Sequence, residues 1–332
     1  MSNRDALAVS FLNGTALANA ERGPLAGDAS NRRYERLIHP DTGETAVLMD
    51  APPEKGEDVR PFVRIAQHLS GIGLSAPRIL AQDVENGFLL IEDLGDALFA
   101  RVVQTEPELE TTLYEAAIDV LLKLHTAFLP KLDLYGPEVM TDLAALAYSK
   151  YRTGIFGDAE GESGFRTAFR ELCLEHEPAK PVLIQRDYHA ENLLWLPDRA
   201  GAARVGLLDF QDAMLGHPAY DLVSLLQDAR RDVHPDLENE MINRYLAGSG
   251  ANSDEFKAAY AVLGTQRNLR ILGVFARLGR EYGKPHYVDL IPRVWNLLMR
   301  DLDHPALEPV ADLLRNALPE PTPSNLERLK ST

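Results

Sequence analysis

"VLIQRDYHAENLLWL", residues 182–196, decides how this chain is read. Two apolar runs, Val182-Leu183-Ile184 and Leu193-Leu194-Trp195-Leu196, bracket a polar break that holds Gln185, Arg186, Asp187, His189, Glu191 and Asn192. Apolar runs this short around a polar break have the pattern of two buried strands joined by a loop. A third run, "VGLLDF", ends on Asp209-Phe210. Asp187, Asn192 and Asp209 therefore sit at the ends of short strands. Three oxygen-bearing side chains suit a hard cation such as Mg²⁺, which usually shares its coordination with phosphates. One of the aspartates can instead serve as a base.

The order of these residues matches a phosphoryl-transfer pattern. The protein-kinase catalytic loop reads H-R-D-x-x-x-x-N and is followed by D-F-G. Here the chain reads Gln185-Arg186-Asp187, then Asn192 after four residues, then Asp209-Phe210-Gln211. A lone D-x-x-x-x-N is common, and Asp and Asn also cap turns routinely. The bracketing runs and the following Asp-Phe give the motif its weight.

Working outward, the segment before residue 95 carries strand signals. "NRRYERLIHP" and "TAVLMDAP" flank the turn Asp41-Thr42-Gly43; "PRILAQDV" and "FLLIEDLG" flank Glu85-Asn86-Gly87. Between these hairpins, "EDVRPFVRIAQHLSGIG" reads as a helix, with Pro61 in its first turn and Gly71 and Gly73 at its end. Beyond Gly95 the period becomes helical: Leu113, Ala117, Val120, Leu121 and Leu124 recur on one face. The region around "TGIFGDAEGESG" reads as loop, and helices are expected from Tyr220 to about Asn316. The expected organisation is an α+β chain: a small antiparallel β lobe over 1–94, a larger mostly helical lobe over 95–318, and a Pro-rich disordered tail over 319–332.

Composition bounds the function classes. The chain has 332 residues, a net charge of −16 and one cysteine, Cys173. The acidic balance argues against a nucleic-acid partner. No apolar run approaches the ~18 residues of a membrane span, and the N-terminus lacks a signal-peptide pattern. The single cysteine fits a reducing compartment, so a cytoplasmic protein without a membrane partner is expected. Composition leaves the oligomeric state unknown.

At Asp187, His189 and Asn192 the chain resembles the aminoglycoside phosphotransferase-like kinases, whose loop is similar to H-G-D-x-H-x-x-N followed by I-D-F-x-D. "LLDFQDAMLGHPAYDLVSLL" looks like that family's second motif through Asp209, Gly216, Pro218 and Asp221. Gln185 and Arg186 depart from the common loop. With "GDASNRRYERL", "LMDAPPE" and "TQRNLRILGVFARL", they are similar to the branch of anomeric sugar kinases of cell-wall recycling, which act on N-acetylmuramate and N-acetylglucosamine. The resemblance implies a two-lobed protein-kinase-like fold, ATP and Mg²⁺ as cofactors, and a small-molecule sugar as acceptor. It also implies Asp187 as the base, Asn192 and Asp209 as Mg²⁺ ligands, and the backbone of Glu92 to Leu94 against adenine. The alternatives are an aminoglycoside or other small-molecule alcohol phosphotransferase, and a nucleotide-binding pseudokinase module.

Two parts of the pattern are open. In "AGDASNRRYERL", Ser30 and Asn31 can bond phosphates, though a plain hairpin loop fits the same residues. Kinases carry a Lys on the next strand, paired with a helix Glu. Here that strand reads Val47-Leu48-Met49, and "RPFVRIAQHL" has no Glu. Arg33 is the candidate replacement, with a solvated strand residue as the other reading. On the acceptor side, Gln211, Asp212 and Arg267 are candidates. Arg267 falls on the apolar face of a helix from Glu255 to about Tyr282, flanked by Arg270 and Arg277, so it must be paired or line a wet cleft. An internal salt bridge to a carboxylate of the second motif is the alternative. His189 reads as a brace of the loop, and Asp221 as a helix cap or such a brace.

Overall fold

The computed structural model describes residues 3–25 and 31–330. The chain forms two compact units, Met1–Ala127 with Ala190–Ala213, and Phe128–His189 with Met214–Thr332. The division falls inside the polar loop, between His189 and Ala190. Residues 95–127, expected in the larger lobe, group with the first unit, where they contact the segment 193–207.

The first unit is built on a five-stranded antiparallel sheet: β1 (Glu21–Pro24), β2 (Arg33–Ile38), β3 (Thr45–Asp50), β4 (Ile79–Asp83) and β5 (Phe88–Glu92), in the order β1-β2-β3-β5-β4. Both expected hairpins form, and their turn glycines Gly43 and Gly87 have φ of 71° and 72°. Register Leu37↔Ala46 and Leu48↔Leu90 puts Leu37, Ala46, Leu48, Phe88 and Leu90 on one face. That face packs against Ala8 and Leu12 of helix α1 (Asn3–Leu12) and against Leu17. The opposite face carries Tyr34, Val47 and Ile91. Neither α1 nor β1 has a strong sequence signal: β1 reads Glu-Arg-Gly-Pro, and α1 gains its apolar face only by meeting the sheet.

Helix α2 (Arg60–Gly71) buries Phe62, Ile65, Ala66 and Leu69. Helices α3 (Phe99–Thr105) and α4 (Glu110–Thr126) follow, and the five recurring apolar residues of α4 are all buried. Residues 190–213 join this unit as the ribbon β7 (Leu193–Trp195) with β8 (Val205–Leu207), after β6 (Val182–Ile184) in chain order. Ladder-like bonds fix the ribbon to the rest: Trp195 N–H donates to Ala97 O at 2.7 Å and Leu207 N–H to Ser75 O at 2.9 Å.

In the second unit β6 pairs with β9 (Met214–Gly216). The two runs of the opening stretch thus belong to different ribbons and different units. Helices follow: α5 (Pro137–Ala144), α6 (Thr153–Phe156), α7 (Glu162–Glu175), α8 (Ala219–Leu226), α9 (Pro235–Ser249), α10 (Ser253–Tyr282), α11 (Ile291–Asp301), α12 (Glu308–Ala317) and α13 (Pro323–Lys330). Helix α10, 30 residues long, is the core: every residue from Ala259 to Leu269 is buried. A helix surrounded on all sides buries more than an apolar stripe. The reading of a single face is therefore too narrow, and Val274 and Leu278, expected at its centre, are only half-buried. Gly273 admits the backbone of Leu146, which a Cβ there would meet at 2.4 Å.

The tail differs from the expected disorder. Pro323–Lys330 is helical, Leu329 is fully buried against Gly154 and Gly279, and Arg328 donates to Ile155 O at 2.8 Å. One leucine in a polar stretch docks the segment, which composition does not reveal. Among the described residues no helix is long and apolar enough to cross a membrane.

Candidate active site

The first unit contains a cleft of about 320 Å³. Its walls include Tyr34, Val47 and Ile91 from the sheet, Phe62 from α2, and the segment Glu92-Asp93-Leu94-Gly95 that leaves β5. Asn192, Asp209 and Gln211 complete it. The cleft thus joins apolar walls to a cluster of oxygen donors, a common form for a small-molecule site.

The linker after β5 is stiffened by its side chains. Glu92 pairs with Arg199 at 2.9 Å and Arg78 at 3.2 Å, and its N–H donates to Arg78 O at 2.9 Å. Arg36 of β2 reaches Asp93 and Asp96, both at 2.7 Å. Among the described residues nothing bonds the N–H of Leu94, so this cleft-lining amide is available to a ligand.

Asn192 and Asp209 come together at the ends of β7 and β8's continuation. Leu208 N–H donates to Asn192 O at 3.0 Å, and Asn192 Nδ2 lies 3.4 Å from Asp209 Oδ2. Gln211 Nε2 donates to Asp209 Oδ1 at 2.7 Å. Asp209 adopts a left-handed backbone, φ 56°, at the turn after β8. Such a conformation is uncommon outside glycine, although Asp tolerates it best, and it often marks a functional turn. Phe210, fully buried, packs on Phe62 with ring centroids 4.8 Å apart and anchors that turn.

Arg33 is a correction to the sequence reading. Strand alternation puts it on the α1 face, away from the cleft. Its half-exposed guanidinium donates through Nε to Asp50 at 3.1 Å, and Asp50 also holds Arg4. Arg32 instead pairs with Glu57 at 2.8 Å and interacts with the cleft-lining Tyr34. Asn31 is exposed and donates its N–H to Glu57 at 3.1 Å. Ser30 lies outside the described residues. Asp212 is exposed.

The second unit holds Asp187. Arg186, just before it, has φ 73°. A left-handed arginine costs on the order of 1–3 kcal/mol unless its surroundings hold it. Four bonds do so. The Asp221 carboxylate, fully buried, accepts the N–H groups of Gln185 at 2.6 Å and Arg186 at 2.9 Å. Arg186 O accepts from Arg267 Nη1 at 3.0 Å and Ser224 Oγ at 3.3 Å. Of the two readings of Asp221, helix cap or brace, these bonds are those of a brace. Burial raises its carboxyl to about 7, against the pull of those two N–H bonds and Arg267.

Arg267, 3% exposed, stands on α10 and also lies 3.8 Å from Asp187. Its partners are thus the catalytic-type loop itself rather than the second-motif carboxylate that the sequence suggested. Burial alone would raise Asp187. The guanidiniums of Arg270 and Arg267 outweigh it, with help from Arg186, and hold the carboxyl below its ordinary value. Asp187 is ionised at neutral pH, as a proton acceptor must be. His189 is pushed down to about 3, by burial first and then by Arg230 and Arg267, so it is neutral and not an acid. Its Nε2 lies 3.4 Å from Arg230 Nη1.

Cleft and base therefore divide between the units: Asn192, Asp209 and Gln211 in the first, Asp187 and Arg267 in the second. Arg270 is the residue to which sequence reasoning gave no role. Its only signal was position, one turn from Arg267 on the same helix.

Comparison with known proteins agrees with this chemistry. The model of the phosphotransferase enzyme family, APH, matches residues 21–259. An N-acetylmuramate/N-acetylglucosamine kinase of Caulobacter vibrioides is 39% identical, over 92% of this chain and 94% of its own length. One of the same name from Pseudomonas aeruginosa is 35% identical over 84% of this chain and 83% of its own. Among solved structures, Plasmodium vivax ethanolamine kinase superposes with a TM-score of 0.63 at 12% identity, over 92% of this chain and 90% of its own. The ADP-bound aminoglycoside phosphotransferase APH(2'')-Ib gives 0.61 at 14% identity, over 93% and 99%. The fold is protein-kinase-like, and the chain belongs to the aminoglycoside phosphotransferase (APH) family of phosphotransferase enzymes.

Proposed function

We propose that this enzyme transfers the γ-phosphoryl of ATP to the anomeric hydroxyl of N-acetylmuramate or N-acetylglucosamine, as in the recycling of peptidoglycan sugars. The observation that carries the acceptor is the likeness to the Caulobacter and Pseudomonas kinases of that name, which runs through nearly the whole chain. The site chemistry supports it independently. Asp187 is surrounded by the guanidiniums of Arg186, Arg267 and Arg270. A polycationic aminoglycoside is repelled there, whereas a neutral or acidic sugar is not.

In this reading the adenine lies along the linker and bonds the free amide of Leu94. Asn192 and Asp209 stand side by side and each carries a side-chain oxygen that would hold the cation. These residues fit Mg²⁺. When bound there, Mg²⁺ neutralises charge on the phosphates. Gln211 orients Asp209. Asp187 accepts the proton of the acceptor hydroxyl as that oxygen bonds to the γ-phosphorus and the bond from phosphorus to the leaving ADP oxygen breaks. An anomeric hydroxyl is more acidic than an ordinary alcohol, so a carboxylate held low by arginines is basic enough. A cytoplasmic location follows from the need for ATP.

ADP release with each sugar and with an aminoglycoside tests the reading. Turnover with either amino sugar, and none with kanamycin, is expected. Turnover with the aminoglycoside alone overturns the acceptor. Nucleotide binding without any turnover favours the pseudokinase module, although the presence of Asp187, Asn192 and Asp209 together argues for catalysis.

A further inference from the structure

The arginines of the second unit are mostly committed. Arg300 meets Glu238 with two bonds, at 2.6 and 2.8 Å. Arg293 meets Asp232 at 2.6 and 3.1 Å. Arg152 meets Asp158 and Glu160. Arg267 is used by the backbone of the loop. Arg270 stands apart. Its one hydrogen bond among the described residues is a long one, 3.4 Å from Nη1 to the Tyr220 hydroxyl. No described carboxylate lies within ion-pair distance of it.

A guanidinium has five donors in a planar fork, and holding it away from water without an anion is unfavourable. Arg270 is nevertheless held firmly. Tyr220 bonds Tyr135 hydroxyl to hydroxyl at 3.1 Å, Tyr135 bonds Gln266 at 3.3 Å, and Gln266 donates to Met140 O at 3.0 Å. The chain of phenols and amide fixes the position of the hydroxyl oxygen that Arg270 touches. Arg267, three residues earlier, is buried; Arg270 keeps partial access to solvent. Among the charges acting on Asp187, that of Arg270 is the strongest. A preorganised, partly open cation with unused donors thus stands beside the base.

We propose that Arg270 recognises an acidic acceptor, its guanidinium binding the lactyl carboxylate of N-acetylmuramate while the anomeric hydroxyl lies at Asp187. This rests on the sugar-kinase reading above. A carboxylate matches the fork of a guanidinium with two parallel bonds. N-acetylglucosamine lacks the lactyl group, so it does not use those bonds. Arg270 therefore sets the preference between the two sugars, in addition to its share in holding Asp187 ionised. Arg267 has the other duty: it positions the loop for both substrates.

The test compares wild type with Arg270→Gln and Arg270→Lys on N-acetylmuramate, its neutral methyl ester, and N-acetylglucosamine. Losing a charge-assisted pair lowers kcat/KM for N-acetylmuramate by about 30- to 100-fold in Arg270→Gln, mostly through KM. N-acetylglucosamine loses only what Arg270 contributes to Asp187, so the ratio of kcat/KM between the two sugars shifts by at least about tenfold, and the remaining N-acetylglucosamine turnover is the check of folding. The methyl ester is a poor substrate of the wild type and is indifferent to the substitution. Arg270→Lys keeps part of the preference. An equal loss on both sugars overturns the proposal, because Arg270 then serves a part that they share. No loss on either overturns it as well. If Arg270→Gln does not fold, wild type alone decides: equal kcat/KM for acid and ester rejects a carboxylate contact. Wild type that turns over neither sugar removes the sugar-kinase reading itself, and the proposal with it. Turnover of both sugars without discrimination removes the proposal only.

Discussion

Asp187 is aimed by its neighbours. The Asp221 carboxylate accepts two backbone N–H groups and so holds Arg186 in its left-handed conformation. Asp221→Ala leaves both N–H groups buried without an acceptor, at about 1–3 kcal/mol each. Its melting temperature is expected to fall, and kcat to drop by about a hundredfold with the KM for ATP little changed, since a misplaced base slows the chemical step. Asp221→Asn keeps one acceptor oxygen and recovers part of both. Steady-state kinetics with a thermal melt decide this; unaltered kcat in Asp221→Ala rejects the brace. Arg33 gives the opposite kind of prediction. Because it pairs with Asp50 on the α1 face, Arg33→Ala leaves the KM for ATP within about twofold of wild type, the size expected of a surface substitution. A large rise would place its guanidinium in the cleft after all. The motif residues Asp187, Asn192 and Asp209 were legible because their spacing is local. Arg267 was legible as a cation that needed a partner, but its partner, the carbonyl of Arg186, is 81 residues away. Arg270 differs from Arg267 only in what the fold puts around it, and that is invisible in sequence.

Among the elements, the two hairpins, α2, α4 and the three short apolar runs follow from turn glycines and hydrophobic period. Elements that depend on a distant partner do not. β1 contains Gly and Pro and exists because β2 pairs with it, Glu21↔Ile38 through Pro24↔Glu35. α13 docks by Leu329. α1 covers the sheet face that would otherwise expose Leu37, Leu48 and Leu90. Leu12→Ala is expected to cost about 2–3 kcal/mol, the usual effect of truncating a buried leucine. Urea unfolding gives the measure. The KM for ATP stays unchanged, because α1 lies on the face of the sheet opposite the cleft. A shift in KM without loss of stability contradicts that placement.

At the scale of the molecule, a chain of net charge −16 concentrates arginine around its base, so bulk charge is no guide to the acceptor. Charge also links stability to pH. Burial raises the Asp301 carboxyl to about 8, although Gln227 and Asn268 donate to its oxygens at 2.9 and 3.2 Å. In the unfolded chain the same group titrates near 3.8. Between those values the fold holds a proton that the unfolded chain has released, so stability falls as pH rises through the window. Asp221, raised to about 7, acts in the same direction. Melting temperature is expected to decline from about pH 5 to about pH 8, and less steeply in Asp301→Asn. An identical slope in that variant removes Asp301 as a cause. The central claim is that Asp187 directs phosphoryl transfer to an anomeric oxygen. Phosphorus NMR of the product formed from ATP and N-acetylglucosamine tests it most directly. Wild type is expected to give a phosphate coupled to the anomeric proton, and Asp187→Asn to lose product formation by about 10²- to 10⁴-fold, as removal of a general base does. Phosphate on any other hydroxyl, or undiminished product from Asp187→Asn, contradicts the account.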